Sequence, residues 1–569
     1  MSEFQAGLIL KNKTAWKLLK SEADQTYGGL PPVLSEAIES GFFNMRHKSF
    51  TNEKAKNITF QGRKFASKKE LLDYDFPNNK SIQDNIEEVW DKILELNRAG
   101  AIKEITEEDA NSPGSIISPI LWIEQEKEDG SIKKRLVHHD RLNYQYSKPK
   151  FSMVTIANEL DRLSDFESIR KHDKKSAFYQ FPITLENSKT LRFKIRKDGL
   201  WKYFEWRSMA MGMSGAPYVC QVTNSALSNK FARLFKVYNA VYLDDFWLEN
   251  RRDVPDFVSW AENYGLIFKK SKTEIGHSMI LLGLQLNLQE KTARIPEMKA
   301  KSLENLAKKI RSGGSANVKD LASLYGKIEF ASTVCQTGRI NTLHLTKLMS
   351  KVDLVTRENE ILNLSSDALK EVDFWSTIAT HPALKIGKRK LINGRCLASD
   401  ASSKKYAFVI GPKSVAGDYP EHLKDTHISV KESFALWKLI QAAAETDTDL
   451  ELLCDNTAVC SSFNKGRSKN TLIHEFIQLS IHFTVKLNCR FKVIWIDTNK
   501  MKELADGPSR GVYKKAHLGL TKEGLNRLLH MAPSFGRRCQ EGEMVSVFAS
   551  PVRVGRVIKR EINAKKVSK

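Results

Sequence analysis

Two acids stand side by side in Val241-Tyr242-Leu243-Asp244-Asp245-Phe246-Trp247, with apolar and aromatic residues on both flanks. That pattern suits a tight hairpin whose turn carries carboxylates at its tip. Two acids at a strand junction are costly to bury unless a cation compensates them. A divalent metal that favours hard oxygen ligands, such as Mg2+, would do so. An ordinary Asp-Asp surface turn has the same local sequence, so the company the pair keeps has to decide. Upstream, Lys171-His172-Asp173-Lys174-Lys175-Ser176-Ala177-Phe178-Tyr179 sets a lone acid before a small residue and an aromatic pair. Downstream come Gly265-Leu266-Ile267-Phe268-Lys269-Lys270-Ser271-Lys272 and Leu281-Leu282-Gly283-Leu284.

A second group of acids follows later in the chain: Asp400 in Leu397–Ser402, Glu432 in Lys431–Leu436, Asp455 in Leu452–Ala458 and Asp506 in Leu504-Ala505-Asp506. Asp400 and Asp455 each end or follow an apolar run, as carboxylates on neighbouring strands would, and Glu432 stands near the start of a helix. Acids so far apart form a site only if the fold gathers them.

The elements that must do the gathering change in texture along the chain. Helix signals at Trp16–Ala23, Leu34–Phe43 and Ile82–Arg98 open it, with Lys54–Lys69 as a polar, basic connecting stretch. From Ser118 to about Pro296, short β-branched and aromatic runs alternate with turn signals such as Asp129-Gly130 and Asp198-Gly199. Amphipathic helices return to about Trp375, broken at Ser312-Gly313-Gly314-Ser315, and strands and helices alternate from Leu391 to about Arg510. Residues 512–569 hold 13 Lys and Arg against four Glu and read as a basic tail.

Composition agrees with a polyanion-handling globular chain. The 569 residues are 41% hydrophobic and 28% charged, with a formal charge of +23, which points first to nucleic acid. No long uncharged apolar run occurs, so transmembrane spans are not expected. Met1–Gln5 lacks the apolar run of a secretory signal. Seven cysteines without a Cys-x-x-Cys pair give neither a disulfide scaffold nor a zinc knuckle. An intracellular setting, in cytoplasm and/or nucleus, is the expectation.

In their order, the first set of blocks resembles the reverse transcriptases of retroelements. The resemblance implies that Asp173 is the first metal-binding acid of a palm, with Asp244 and Asp245 the paired acids of its YxDD hairpin. Met209–Pro217, including Gly212, would be the template- and nucleotide-contacting block. Lys272 would lie near the pyrophosphate, although a solvated lysine beside Lys269 and Lys270 reads the same way. Leu282-Gly283 would be the primer-grip turn. Phe178 would act as a steric gate against the ribose 2′ hydroxyl, core packing being the other reading. Ser118–Ile123 and Asp129–Val137 resemble the fingers hairpin, whose Lys134 or Arg135 would hold the triphosphate. Three features depart from the family pattern: Arg141 directly before Leu142-Asn143, Met211 where many retroviral enzymes carry Gln, and the polar strand Ile169-Arg170-Lys171-His172.

The second acid set, in the order Asp400, Glu432, Asp455, Asp506, resembles RNase H. Asp497-Thr498-Asn499 stands where many enzymes of that fold carry a histidine, while His474 and His482 read as surface or core residues of a helix. Leu504–Arg510 resembles the ending seen in long-terminal-repeat and DIRS-like elements, and Asn317–Lys327, with Ser323–Lys327, resembles the thumb-to-RNase H bridge of the DIRS-like, tyrosine-recombinase retrotransposons. Together these resemblances imply an α+β right-hand polymerase of fingers, palm and thumb, followed by an α/β RNase H-like domain. The expected divisions are a helical basic extension (1–95), fingers and palm (96–295), thumb and connection (296–390), RNase H (391–511) and basic tail (512–569). The implied activity is RNA-directed DNA synthesis with RNase H cleavage. All seven acids would be catalytic, holding two Mg2+ per active site, with Mn2+ as an alternative. Implied partners are an RNA template, a DNA primer, the RNA–DNA hybrid and dNTPs, with no membrane and an oligomeric state the sequence leaves open. The competing reading is a non-catalytic nucleic-acid scaffold that retains both folds.

Overall fold

The lead helices form where apolar residues recur on one face and local caps stop them. In the computed structural model Asn12 caps helix Lys13–Tyr27 by accepting from the Ala15 N–H, and Gly28 ends it in the left-handed region. The structure describes residues 5–50, 58–126, 131–146, 151, 153–350, 352, 359–392, 397–411 and 413–510. The basic tail and the Asp129-Gly130 turn lie outside the described residues. The chain divides into two compact units, Met1–Val154 with Ser168–Gly276, and Thr155–Glu167 with His277–Lys569.

In the first unit the lead is not a separate body. Ile9, Trp16, Phe43 and Phe50 share one core with Phe181 and Phe246, so no break between units falls at residue 95. The Gly7 N–H donates to the Tyr179 carbonyl at 2.9 Å and the Ile9 N–H to Gln180 at 3.2 Å. Gly265 makes room for this segment, since at its φ of +83° an added Cβ would fall 2.1 Å from the Leu8 carbonyl oxygen. Lys54–Lys69 is likewise more than a connection. Ile58–Phe60 and Arg63–Phe65 pair across a tight turn at Gln61-Gly62, because Phe60 and Phe65 close over Leu71 and Phe76.

The sheet that matters for chemistry has the order Glu274–Gly276, Ile169–Asp173, Asp245–Glu249, Asn239–Tyr242, antiparallel throughout. The polar residues of Ile169–Asp173 are explained by their partners. Arg170 donates to Asn250 and to the Arg251 carbonyl, Lys171 reaches Glu274, and His172 bonds Thr273 while packing on Phe257 and Phe268. The fingers hairpin pairs Ile120–Glu126 with Ile132–His138.

In the second unit, Ser278–Leu281 and Leu284–Asn287 form a two-residue hairpin whose turn residues, Leu282 and Gly283, both have positive φ. Helices Glu297–Gly313, Val318–Ala331, Leu343–Met349 and Ser366–Trp375 bury a shared core around Leu324, Ile328 and Trp375. The later sheet runs Lys413–Asp418, Lys405–Ile410, Leu397–Ala401, Thr448–Cys454, Arg490–Trp495. Its first three strands are antiparallel and its last three parallel, with helices Ile428–Ala443 and Thr471–Lys486 packed on it. The fold class is therefore the expected one: an α+β right-hand polymerase followed in the chain by an α/β RNase H-like body.

Candidate active sites

Antiparallel pairing brings the first three acids together. Asp173 ends its strand directly opposite Asp245, and the Lys174 N–H donates to the Asp244 carbonyl at 3.1 Å. Burial lifts the Asp245 carboxyl to about 6, and Asp244 and Asp173 push the same way against Lys171 and Lys133. Lys269 donates to Asp173 at 3.1 Å, and Lys272 lies 3.8 Å from the same oxygen. Lys272, expected near the pyrophosphate, thus lies by Asp173, and Lys269 is closer to it. Crowded carboxylates whose ionised forms repel one another are a hard-oxygen donor set, and that fits a divalent ion of the Mg2+ class.

The turn carrying Asp244 is strained. Leu243 has φ +53°, a conformation that branched and bulky residues avoid. It is held from helix Ala216–Phe235: the Leu243 N–H donates to Gln221 Oε1 at 2.7 Å, and its carbonyl accepts from Asn224 Nδ2 at 2.6 Å. Gln221 also donates to the Val241 carbonyl at 3.0 Å. Sequence reasoning passed over both amides. The available signal was two amides three apart on a helix, Gln221 and Asn224, a spacing that puts them on one face.

Strand alternation settles the basic arm of the fingers hairpin. Lys133 and Arg135 share a face, and Lys133 lies within electrostatic reach of Asp244 and Asp173. Lys134 points the other way, paired with Glu88 and 3.4 Å from Glu124. Of the two expected triphosphate donors, Lys134 is thus tied up on the opposite face, while Arg135 shares the face of Lys133. Arg141, the residue that departs from the family pattern before Leu142-Asn143, has a structural place. It is buried, donates to the carbonyls of Leu71, Leu72 and Tyr74, and lies over the Phe76 ring. Its neighbour Asp140 is held by both arms of Arg46, at 2.8 and 3.0 Å.

Phe178 lies in the turn Ala177–Gln180, half-buried against the core. Gly212 has φ +102°, and a Cβ there would stand 2.0 Å from the His138 carbonyl oxygen. Asn143 fastens the same loop, donating to the Gly212 carbonyl at 2.7 Å and accepting from the Ser214 N–H at 2.9 Å.

The second unit gathers its four acids from separate elements. Asp400 lies on the central strand Leu397–Ala401, Glu432 on helix Ile428–Ala443, Asp455 just past strand Thr448–Cys454 and Asp506 in a wide turn at Lys502–Asp506. Burial raises the Asp400 carboxyl to about 6, with Asp455 and Asp506 adding to it and a Ser509 hydrogen bond of 2.7 Å opposing. Burial raises Glu432 to about 10, reinforced by Cys454, Asp455 and Asp400. The donor atoms of Glu432, Cys454 and Asp455 all lie within 4.8 Å of one another. The Cys454 thiol donates to Glu432 at 3.6 Å, and Trp495 donates to the Asp455 carbonyl at 2.8 Å. Four carboxyls within electrostatic reach of one another, two of them raised by burial, again fit hard divalent cations. His474 is buried within helix Thr471–Lys486 and His482 is exposed on it.

Comparisons with known proteins agree with the first site. Residues 130–310 match the family model Reverse transcriptase (RNA-dependent DNA polymerase). A stretch of 164 residues is 27% identical to Protein P of duck hepatitis B virus strain Germany/DHBV-3, and equally to that of isolate white Shanghai duck S31. The matched stretch is 28% of this chain and 20% of each relative, so the chain spans about a fifth of the length of these relatives. Among solved structures, the foamy viral protease-reverse transcriptase dRH in complex with ds DNA aligns with a TM-score of 0.46 at 15% identity. That alignment covers 84% of this chain and 81% of the other. The same viral protein in complex with an RNA/DNA hybrid gives 0.44 at 13% identity, over 84% of this chain and 62% of the other. No helix among the described residues is long and apolar enough to cross a membrane.

Proposed function

We propose that this chain is an RNA-directed DNA polymerase that also cleaves the RNA strand of RNA–DNA hybrids. The observation that carries the reading is the strained hairpin turn that sets Asp244 and Asp245 beside Asp173, inside the segment that matches the reverse transcriptase model. Asp173, Asp244 and Asp245 would hold the ions of the polymerase site, and Asp400, Glu432, Asp455 and Asp506 those of the nuclease site. Bound Mg2+, or Mn2+ in its place, would activate the attacking oxygen and stabilise the leaving group at each site. The chain's own groups do the rest. Lys133 and Arg135 face the incoming triphosphate, Lys269 and Lys272 balance negative charge at Asp173 and the pyrophosphate, and Phe178 bounds the sugar.

The RNA template, DNA primer, hybrid and dNTPs are accordingly the proposed partners, with phosphate contacts dominating affinity and making it salt-dependent. An intracellular setting and a DIRS-like retrotransposon origin belong to the same proposal, the latter supported by Ser323–Lys327 and Leu504–Arg510. The test uses the full chain with primed RNA, dNTPs and Mg2+, and separately a labelled RNA–DNA hybrid. Asp244→Asn should abolish extension and spare RNA cleavage, and Asp455→Asn should do the reverse. Loss of both activities in either variant would refute two independent sites. No extension by the unaltered protein with Mg2+ or Mn2+ would favour the scaffold reading.

A further inference from the structure

We propose that Lys174 and Asn224 are positioning residues that fix the Asp244-bearing turn, an inference that rests on the polymerase reading of that turn. Lys174 follows Asp173 directly, yet its side chain runs inward and is 1% exposed. Its ammonium donates to Asn224 Oδ1 at 3.1 Å and stands 4.6 Å from the centroid of the Phe181 ring. Asn224 in turn donates from Nδ2 to the Leu243 carbonyl at 2.6 Å. The Lys174 main-chain N–H meanwhile donates to the Asp244 carbonyl. One residue therefore grips the two-residue turn twice, through its backbone at Asp244 and through Asn224 at Leu243.

The chemistry of the pair explains why a lysine matters there. An ammonium can only donate, so it fixes the oxygen of the Asn224 amide toward itself and leaves the NH2 end for the Leu243 carbonyl. Without that cation the amide is free to turn over and set its oxygen against another carbonyl oxygen. Burying an ammonium is costly in free energy. A methionine of similar length would fill the space without that cost, so what the lysine adds is orientation. Gln221 holds the turn's N–H but does not reach its carbonyl, which Asn224 grips at short range while the Cys220 thiol adds a longer contact of 3.7 Å. A loosened carbonyl at Leu243 lets the peptide leave its strained conformation and carries the Asp244 carboxylate with it.

The test compares the unaltered full chain with Lys174→Met, Asn224→Leu, their combination and Asn224→Asp. Asn224→Asp keeps an acceptor for Lys174 and a folded interior but removes the donor to Leu243. Amide hydrogen exchange across residues 241–247 reads the turn without any need for activity. It should rise about tenfold in each single variant, with no further rise in the combination, while exchange in the 397–418 strands stays unchanged. Primer extension should lose about tenfold in kcat with KM for dNTP within about twofold, the pattern of a displaced catalytic group rather than of lost binding. Exchange in 241–247 that is unaltered in Asn224→Asp or Lys174→Met overturns the tether. A rise in exchange in a protein that extends no primer supports the tether and overturns the polymerase reading.

Discussion

The Ser509 hydroxyl donates a 2.7 Å hydrogen bond to Asp400 across 109 residues of sequence. It therefore joins the end of the described chain to the central strand of the later sheet. Asp400 is already raised to about 6 by burial, and Ser509, with the Ala401 main chain behind it, pulls it back toward ionisation. Ser509→Ala should push that carboxyl higher still. A carboxylate needed in its ionised form is then lost at a higher pH, so the acid limb of the RNA-cleavage profile should move up by about one pH unit. The alkaline plateau should be nearly unchanged. A profile of rate against pH on an RNA–DNA hybrid measures this, and superimposable limbs would contradict it.

The two faces of the fingers strand make a sharp contrast between adjacent lysines. Lys133→Ala removes a cation facing Asp173 and Asp244 and should raise KM for dNTP about tenfold, the worth of one charge-assisted contact. Lys134→Ala breaks only exposed pairings with Glu88 and Glu124 and should leave KM within about twofold. Steady-state extension with both variants decides it, and equal effects would mean that the strand faces are misassigned.

Gly212 meets the His138 carbonyl in a conformation only glycine adopts easily. Gly212→Ala forces either the loop or the fingers strand to move, and should cost ~3 kcal/mol of stability. Denaturant unfolding followed by a probe in the first unit reads the loss. A change below about 1 kcal/mol would show that the loop relaxes freely.

His138 supplies a pH signature. Its ring is fully buried with both nitrogens unpartnered, and burial lowers its pKa to about 4. The folded state therefore stays neutral at this site while the unfolded chain takes up a proton below about 6.5. Stability from this group is complete above that value and is lost as pH falls toward 4. Relative to His138→Leu, the unaltered protein should lose on the order of 2 kcal/mol between pH 7 and pH 5. A difference between the two proteins that is constant across that range would rule this out.

How much of this was readable beforehand depends on how local the information is. Asp173, Asp244 and Asp245 were legible because each lies in a short block whose residue types constrain one another. Asp400, Glu432, Asp455 and Asp506 were legible only through their order, since nothing in their spacing brings a helix acid to two strands and a late turn. Lys134 was misplaced because a one-residue change reverses the face of a strand, and charge alone carries no phase. The place of Arg141 was not legible, because the carbonyls it holds, among them those of Leu72 and Tyr74, lie 69 and 67 residues away at the end of helix Lys68–Asp73. Lys174 is the hardest case: surrounded by basic neighbours, it reads as solvated, and only the packing of Asn224 and Phe181 shows that it points inward.

The close passage of Leu8 over Gly265 also bears on the order in which the protein is made. A ribosome delivers residue 8 long before residue 265 exists, so the segment that backs Tyr179 and Gln180 has no seat for most of the unit's synthesis. The core around Trp16 and Phe246 can close only once Phe268, its last member, has left the exit tunnel. Until then an apolar lead is exposed, and the nascent chain is a natural client for whatever shields such segments.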